Sequence, residues 1–291
     1  MAMAVPIAPF ELSFDGRDAD GHTADALYIG QSLQGIARLY NSVIGWHLHG
    51  RILAPAFQDV RVHVGPPKDG SLLYIIYMMM VHGKMAVYPE IFFELAQFLI
   101  PAAVKALIAR RSGQMKIVEK QADAMLEMYR RYDEFARQVH SDHVREKGQL
   151  LDVLKTLADA NRKPLADMTA PVGRTVKQIE HFKNLPEPVV VDEPIAEALR
   201  TQDGAVVGEL EKYFGKLVAV DTVTGACKLL LDDSAKPIKG KITDPALAMP
   251  ENPYTHALDT QTHVTVTAKP VSKNGKISTL YVSDAKPDEA V

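Results

Sequence analysis

Residues 91–109 constrain the fold more than any other part of this sequence, because they are almost wholly apolar over a length that could cross a membrane. Glu94 and Lys105 would each cost roughly 2–3 kcal/mol inside a bilayer, and Pro101 would interrupt the backbone hydrogen bonds of a helix. We therefore predict a buried or interface helix, with membrane insertion as the alternative. The side chains expected to respond most to a partner or to lipid are Phe92, Phe93, Leu99 and Ile100.

A second apolar pattern covers residues 115–160, where apolar side chains recur at alternating spacings of three and four residues. This spacing predicts one long helix or, if the chain breaks near Ser141 or Gly148, an antiparallel helical hairpin. Both forms need a partner surface, which favours a homo-oligomer or packing against the first sheet. The residues predicted to line the seam are Met125, Tyr129 and Tyr132.

Strands are predicted on both sides of a long N-terminal helix. Residues 9–15 and 58–64 alternate between apolar and polar side chains, as half-buried strands do. Residues 23–50 carry apolar side chains at helical spacing, and residues 71–81 form an apolar run after a turn cluster. The pattern predicts a β-α-β-β sheet whose last strand is covered on both faces.

The C-terminal part of the chain has the pattern of a small barrel. Several short strands follow one another after residue 206, mostly without room for a helix between them. Asn274-Gly275 favours the positive φ angles of a tight hairpin turn. The fold class is therefore α+β, and we predict a β-α-β-β and long-helix domain at 1–165, a linker with short elements at 166–205, and a barrel-like domain at 206–291.

Charge and cysteine content restrict the function. The chain of 291 residues has a formal net charge of −3 and one cysteine, Cys227, so it forms no disulfide or thiolate metal cluster within itself. Acidic residues outnumber lysine and arginine over residues 184–291, which argues against nucleic acid as a partner. No signal peptide is evident, so we expect a cytoplasmic protein, with membrane association as the alternative.

Candidate metal ligands and catalytic groups are few. His140 and His143 lie at neighbouring helical positions and, with Asp142 or Glu146, could form a weak zinc or pH-responsive site; a solvated kink is the preferred alternative. No nucleophile elbow, P-loop, dinucleotide fingerprint or zinc-protease motif occurs. We therefore assign no catalytic residue and no cofactor, and we favour a protein without enzymatic activity.

The order of several short motifs resembles a family of uncharacterised bacterial proteins. The resemblance is carried by the strand at residues 70–76, the apolar helix, the step at 170–173, and the segments 254–258 and 264–266. It implies an N-terminal β-α-β-β and helical domain joined to a C-terminal β-domain. Such families often lie among mobile or phage-defence genes, which implies a role in antiviral defence. The resemblance brings no catalytic residues.

Three functions follow as hypotheses, in order of preference. The first is an oligomeric binding or assembly protein, such as a phage-defence sensor or scaffold, with a protein partner or a small ligand on the barrel. The second is a membrane-acting effector that releases the helix at 91–109 into lipid. The third is a nucleic-acid or nucleotide binder that uses the barrel, whose binding would be lost when the charges of Lys239 and Lys241 are reversed.

Overall fold

The computed structural model describes residues 6–51, 60–65, 72–80, 89–131, 146–201, 205–273 and 276–287. The chain divides into two compact units, Met1–Arg200 and Thr201–Val291, each with its own sheet.

An antiparallel sheet of five strands forms the centre of the first unit. The strands are β1 (Pro6–Asp15), β2 (Val60–Val64), β3 (Leu72–Met80), β4 (Gln178–His181) and β5 (Val189–Val191), in the spatial order β2-β3-β1-β4-β5. The alternation in β1 buries Phe10, Leu12 and Phe14 on one face of the sheet, where Phe10 meets Tyr40 edge to face. The predicted β-α-β-β sheet is confirmed.

Six helices accompany this sheet in the described part of the first unit. They are α1 (Ala26–His49), α2 (Pro89–Arg111), α3 (Met115–Arg131), α4 (Lys147–Ala160), α5 (Arg162–Met168) and α6 (Glu193–Arg200). The first helix begins at Asp25, whose side chain accepts a hydrogen bond from the backbone N–H of Leu27, and ends at Gly50 with φ 64°. Both ends carry the residue types that capping requires.

Residues 115–131 and 147–160 form two separate helices, α3 and α4, that contact each other, instead of one long helix. Lys147 Nζ lies 2.8 Å from Asp123 Oδ2, whereas these two residues would be about 36 Å apart along one straight helix. The fourth helix begins at a capping box in which Glu146 and Gln149 satisfy each other's backbone N–H groups. The single-helix alternative is therefore wrong, and the predicted break near Gly148 lies within two residues of the start of α4.

The apolar helix α2 is buried inside the first unit over its C-terminal half. The buried side chains are Leu99, Ile100, Ala102, Ala103, Val104, Ala106, Leu107, Ile108 and Ala109. Pro101 lies within the helix. In the part of the chain that the structure describes, no helix is long and apolar enough to cross a membrane.

Residues 166–200 belong to the first unit, although the sequence suggested a linker. Strand β4 pairs with β1 through Leu12 and His181, and β5 pairs with β4. Helix α6 packs on α5. Pro164 lies in the first turn of α5, whereas the prolines at 171, 186 and 188 lie in the connections between elements of this unit. The division between the units falls after Arg200.

The second unit is a closed barrel of five strands with one extra strand. Its elements are β6 (Val206–Val207), β7 (Glu211–Val220), β8 (Ala226–Leu231), β9 (Ile238–Ile242), α7 (Pro253–Thr260), β10 (His263–Lys273) and β11 (Lys276–Pro287). Pairing of β10 with both β7 and β11, and parallel pairing of β11 with β9, closes the ring, while β6 adds to β10. The predicted turn at Asn274-Gly275 lies outside the described residues.

The barrel has the topology of an OB-fold. Its order is β7-β8-β9-β11-β10, the helix α7 lies between its third and fourth strands, and the third and fifth strands are parallel. Tyr254 and Ala257 of α7 are buried in the barrel core with Leu229, Val266 and Leu280. The barrel's outward-facing residues are thus those that alternate with this core.

Candidate functional site

The outer surface of β7, β8 and β9 carries the most distinctive group of charges in the second unit. On β8, Cys227, Leu229 and Leu231 are buried, so Ala226, Lys228 and Leu230 point outward. The same alternation on β9 turns Lys239 and Lys241 outward between Ile238, Gly240 and Ile242. Strand β7 adds Lys216, which alternates with the buried Gly215 and Leu217.

Strand register brings these lysines together. Lys228 lies directly opposite Lys239, Ala226 lies opposite Lys241, and Lys216 lies opposite Leu230. Directly opposed residues on one face of an antiparallel pair have Cβ atoms about 4.5–5.5 Å apart. We call Lys216, Lys228, Lys239 and Lys241 the lysine face.

Close approach of the two strands depends on a glycine between the lysines of β9. A Cβ atom at Gly240 would lie 2.6 Å from Cys227 Sγ. Burial also raises the pKa of the Cys227 thiol to about 11, so this cysteine is a small core residue and not a reactive thiolate. Gly240 therefore serves the packing that holds Lys228 against Lys239.

Little negative charge offsets three of these lysines, Lys216, Lys228 and Lys239. Neither β8 nor β9 contains an aspartate or glutamate. None of Lys216, Lys228 and Lys239 forms an ion pair with a described residue. Like charges directly opposite each other destabilise a sheet. The opposition of two ammonium groups is thus unfavourable for the isolated barrel, and it makes this face the candidate site for an anion.

Several carboxylates of the barrel are engaged in its loops. Asp221 accepts hydrogen bonds from the backbone N–H groups of Val223 and Thr224 and from the Thr224 hydroxyl, which lower its pKa. Asp244 accepts a hydrogen bond of 2.7 Å from the Tyr254 hydroxyl. Acidic residues therefore outnumber basic ones over residues 184–291 as a whole, although the outer surface of β7, β8 and β9 is basic.

Apolar side chains lie among the lysines. Phe214 is 52% exposed and points outward on β7, two residues before Lys216. Val218, two residues after Lys216, is also exposed, and Leu230 is half-buried opposite Lys216. Cations interleaved with an exposed aromatic ring can bind phosphate groups and bases at the same time.

The structure places several of the predicted interface residues inside the first unit. Leu99, Ile100 and Met125 are buried by the chain itself, so they are not part of its surface. The Tyr129 hydroxyl lies 2.8 Å from Nδ1 of His47, which links α3 to the end of α1. Phe92 and Phe93 belong to α2, but their side chains lie outside the described part, as do Tyr132, His140 and His143 entirely.

No metal site is found in the described ranges: no group of three or more His, Cys, Asp or Glu side chains there could hold an ion. His140 and His143, which the sequence offered as weak candidates beside the preferred solvated kink, lie outside those ranges, so neither alternative is tested.

A buried polar pair in the first unit had no signal in the sequence. His181 on β4 and Tyr40 on α1 are both buried, and Nδ1 of His181 lies 3.3 Å from the Tyr40 hydroxyl. Burial lowers the pKa of His181 to about 3 and raises the pKa of Tyr40. Its other ring nitrogen, Nε2, has no hydrogen-bond partner among the described residues. A neutral core histidine is the result.

The fold and this face define an α+β protein with an OB-type barrel that presents lysines on its outer sheet. The chain belongs to the family described as a domain of unknown function (DUF7946), whose model matches residues 10–200. A second model, a family of unknown function (DUF7947), matches residues 209–286. The two matches follow the two units, and the expected membership of an uncharacterised family is confirmed. No curated protein matches the chain.

Proposed function

We propose that the C-terminal barrel binds nucleic acid through the lysine face. The observation that carries this proposal is the direct opposition of Lys228 and Lys239, without a carboxylate on β8 or β9 to compensate them. A phosphodiester backbone supplies a row of negative charges that would remove this repulsion.

The position of the face on the barrel supports the same ligand. In OB-fold proteins, the second and third strands form the surface that binds oligonucleotides or oligosaccharides. Here those strands are β8 and β9, which carry Lys228, Lys239 and Lys241. The opposed ammonium groups of Lys228 and Lys239 favour the charged polymer over a neutral sugar, because an oligosaccharide would leave their repulsion in place.

The first experiment measures binding of a fluorescent oligonucleotide to the full chain by anisotropy at several salt concentrations. If all four lysines contact phosphates, the logarithm of the association constant should fall with the logarithm of salt concentration with a slope of about −3. The double variant Lys228→Glu/Lys239→Glu should bind at least 10-fold more weakly and should flatten this slope by roughly 1.5.

A matched control makes the same change of net charge elsewhere. Lys116 and Lys155 are exposed on α3 and α4, so Lys116→Glu/Lys155→Glu should leave the affinity and the slope nearly unchanged. An equal loss of oligonucleotide affinity in both double variants would show that the net charge of the chain, and not the lysine face, determines binding. Failure of the wild-type chain to bind any nucleic acid, or preference for anionic vesicles or an acidic protein, would reject the proposal.

Oligomeric assembly, bacterial origin and a place in phage defence stay predictions of the sequence. Leu99, Ile100 and Met125 are buried in the single chain, so an assembly would use other surfaces. Light scattering after size exclusion, over a range of wild-type concentrations, measures this property directly. A substitution of Tyr129 would be a less direct test, because it would also remove the contact with His47.

A further inference from the structure

We infer that the nucleic acid on the lysine face is single-stranded and that Phe214 is the platform on which one of its bases stacks. This inference rests on the proposed function, because it concerns the same surface. It names both the form of the ligand and the residue that distinguishes that form.

Phe214 is placed to reach a base while the lysines hold the backbone. It lies on the outer face of β7, opposite Thr265 of β10, and 52% of its surface is exposed. Lys216 follows two residues later on the same face, which corresponds to about 6.6–6.8 Å along a strand. A ring and a cation are thus neighbours on one surface.

The charges differ between the two ends of this surface. Next to Phe214, the backbone N–H of Asp232 donates to the Phe214 carbonyl, and the Asp232 carboxylate lies 3.5 Å from Nε2 of His263. A carboxylate repels phosphate, whereas Lys228, Lys239 and Lys241 attract it at the other end. Lys212 is also exposed, two residues before Phe214, so the Phe214 end carries both signs of charge, whereas β8 and β9 carry only lysines as charged residues. The phosphates therefore belong over β8 and β9, and an uncharged group such as a base belongs over Phe214.

Only an unpaired base can use the ring. In a duplex, each base is stacked on its neighbours along the helix, so its π-face is not available to a side chain. Base stacking on an aromatic side chain contributes about 1–3 kcal/mol per base, which corresponds to a roughly 5- to 150-fold change in affinity. A duplex could still place its phosphates on the lysines, but Phe214 would remain in water.

The dimensions fit a short segment of single strand. The three strands β7, β8 and β9 lie side by side at about 4.7–4.9 Å spacing, so the face is about 10 Å wide between its outer strands. OB-folds bind about 4–16 nucleotides of single strand. The lysine face with Phe214 covers the lower part of that range.

The test compares three probes of about 20 residues with the full chain: single-stranded oligo(dT), a blunt duplex, and an abasic strand with the same phosphodiester backbone. We expect oligo(dT) to bind at least 5-fold more tightly than the other two. Phe214→Ala should lower the oligo(dT) affinity roughly 5- to 150-fold and leave the abasic strand unchanged. Phe214→Trp should retain the preference, because indole also stacks.

Met249→Ala is the matched control, since Met249 is 63% exposed and precedes α7, outside the strands that carry Phe214 and the lysine face. It should change none of the three affinities. Equal affinity for the three probes, or an unchanged oligo(dT) affinity in Phe214→Ala, would overturn the single-strand inference. The proposed function would still stand if the Lys228→Glu/Lys239→Glu variant bound these probes more weakly than the wild type. If the wild-type chain bound none of the three probes, the proposed function itself would be overturned.

Discussion

Lys228 and Lys239 place two positive charges opposite each other across β8 and β9. We therefore expect removal of one charge to raise the stability of the barrel and to weaken its binding of nucleic acid. Lys228→Glu converts the like-charge pair into an opposite-charge pair. We expect the free energy of unfolding to rise by about 0.5–1 kcal/mol, measured by urea denaturation, while oligonucleotide affinity falls.

The double variant Lys228→Glu/Lys239→Glu restores a like-charge pair, now between two carboxylates. Its stability should therefore return close to that of the wild type, although its binding is weakest of all. A single variant that is less stable than the wild type would show that the two ammonium groups do not repel each other across the strands.

His181 makes stability depend on pH. Its folded-state pKa of about 3 lies below the ordinary value of 6.5, so the unfolded chain takes up the proton first as pH falls. The stability that the protein has with a neutral His181 is fully present above pH 6.5. As the pH falls from 6.5 to 3, the free energy of unfolding decreases by about 1.4 kcal/mol per pH unit. We expect the free energy of unfolding to be about 2 kcal/mol lower at pH 5 than at pH 7.

The control for this prediction removes the titrating group. In His181→Gln, the difference between pH 7 and pH 5 should shrink by most of that amount, even if the variant is less stable at both. An equal pH dependence in the two proteins would assign the effect to other groups.

At the scale of elements, α1 and α5 touch through their backbones. A Cβ atom at Gly35 would lie 2.6 Å from the carbonyl oxygen of Pro164 and would also meet the backbone nitrogen of Met168. Ser32 reinforces this contact by donating a hydrogen bond of 2.6 Å to the Met168 carbonyl. Gly35→Ala should therefore lower the free energy of unfolding by about 1–3 kcal/mol, because the two helices must move apart.

Gly30 provides a control on the same helix. Beyond the helix's own backbone, no atom lies within 4 Å of a Cβ built there, so Gly30→Ala should raise stability by about 0.5–1 kcal/mol through the helix preference of alanine. Thermal unfolding of the two variants tests the contact. A Gly35→Ala variant as stable as Gly30→Ala would be inconsistent with this packing.

At the scale of the whole molecule, the two units have separate cores and separate sheets. We expect a chain of residues 201–291 to fold into the barrel and to retain the oligonucleotide affinity of the full chain within about threefold. Residues 1–200 should not compete for the probe. Circular dichroism tests whether residues 201–291 fold, and the anisotropy assay tests whether they bind. Binding by residues 1–200 alone would show that the site lies in the first unit, which would contradict the prediction.

The local patterns were sufficient to predict most elements. The helical spacing in α1, the alternation in β1 and the short strands after residue 206 all appear in the structure close to where the sequence suggested them. Strands β4 and β5 were missed because they are short and lie among prolines. They become strands by pairing with β1, which is remote in sequence.

The sequence by itself determined the fold class, the apolar faces of the helices and the presence of a barrel, because these depend on periodicity within one element. Only the tertiary structure decided that α4 packs against α3 instead of continuing it, and that Lys216, Lys228, Lys239 and Lys241 share one surface with Phe214. The physical reason is strand register. Barrel closure and core packing decide which residues of β7, β8 and β9 lie opposite each other, and a count of charges along the chain holds no information about either.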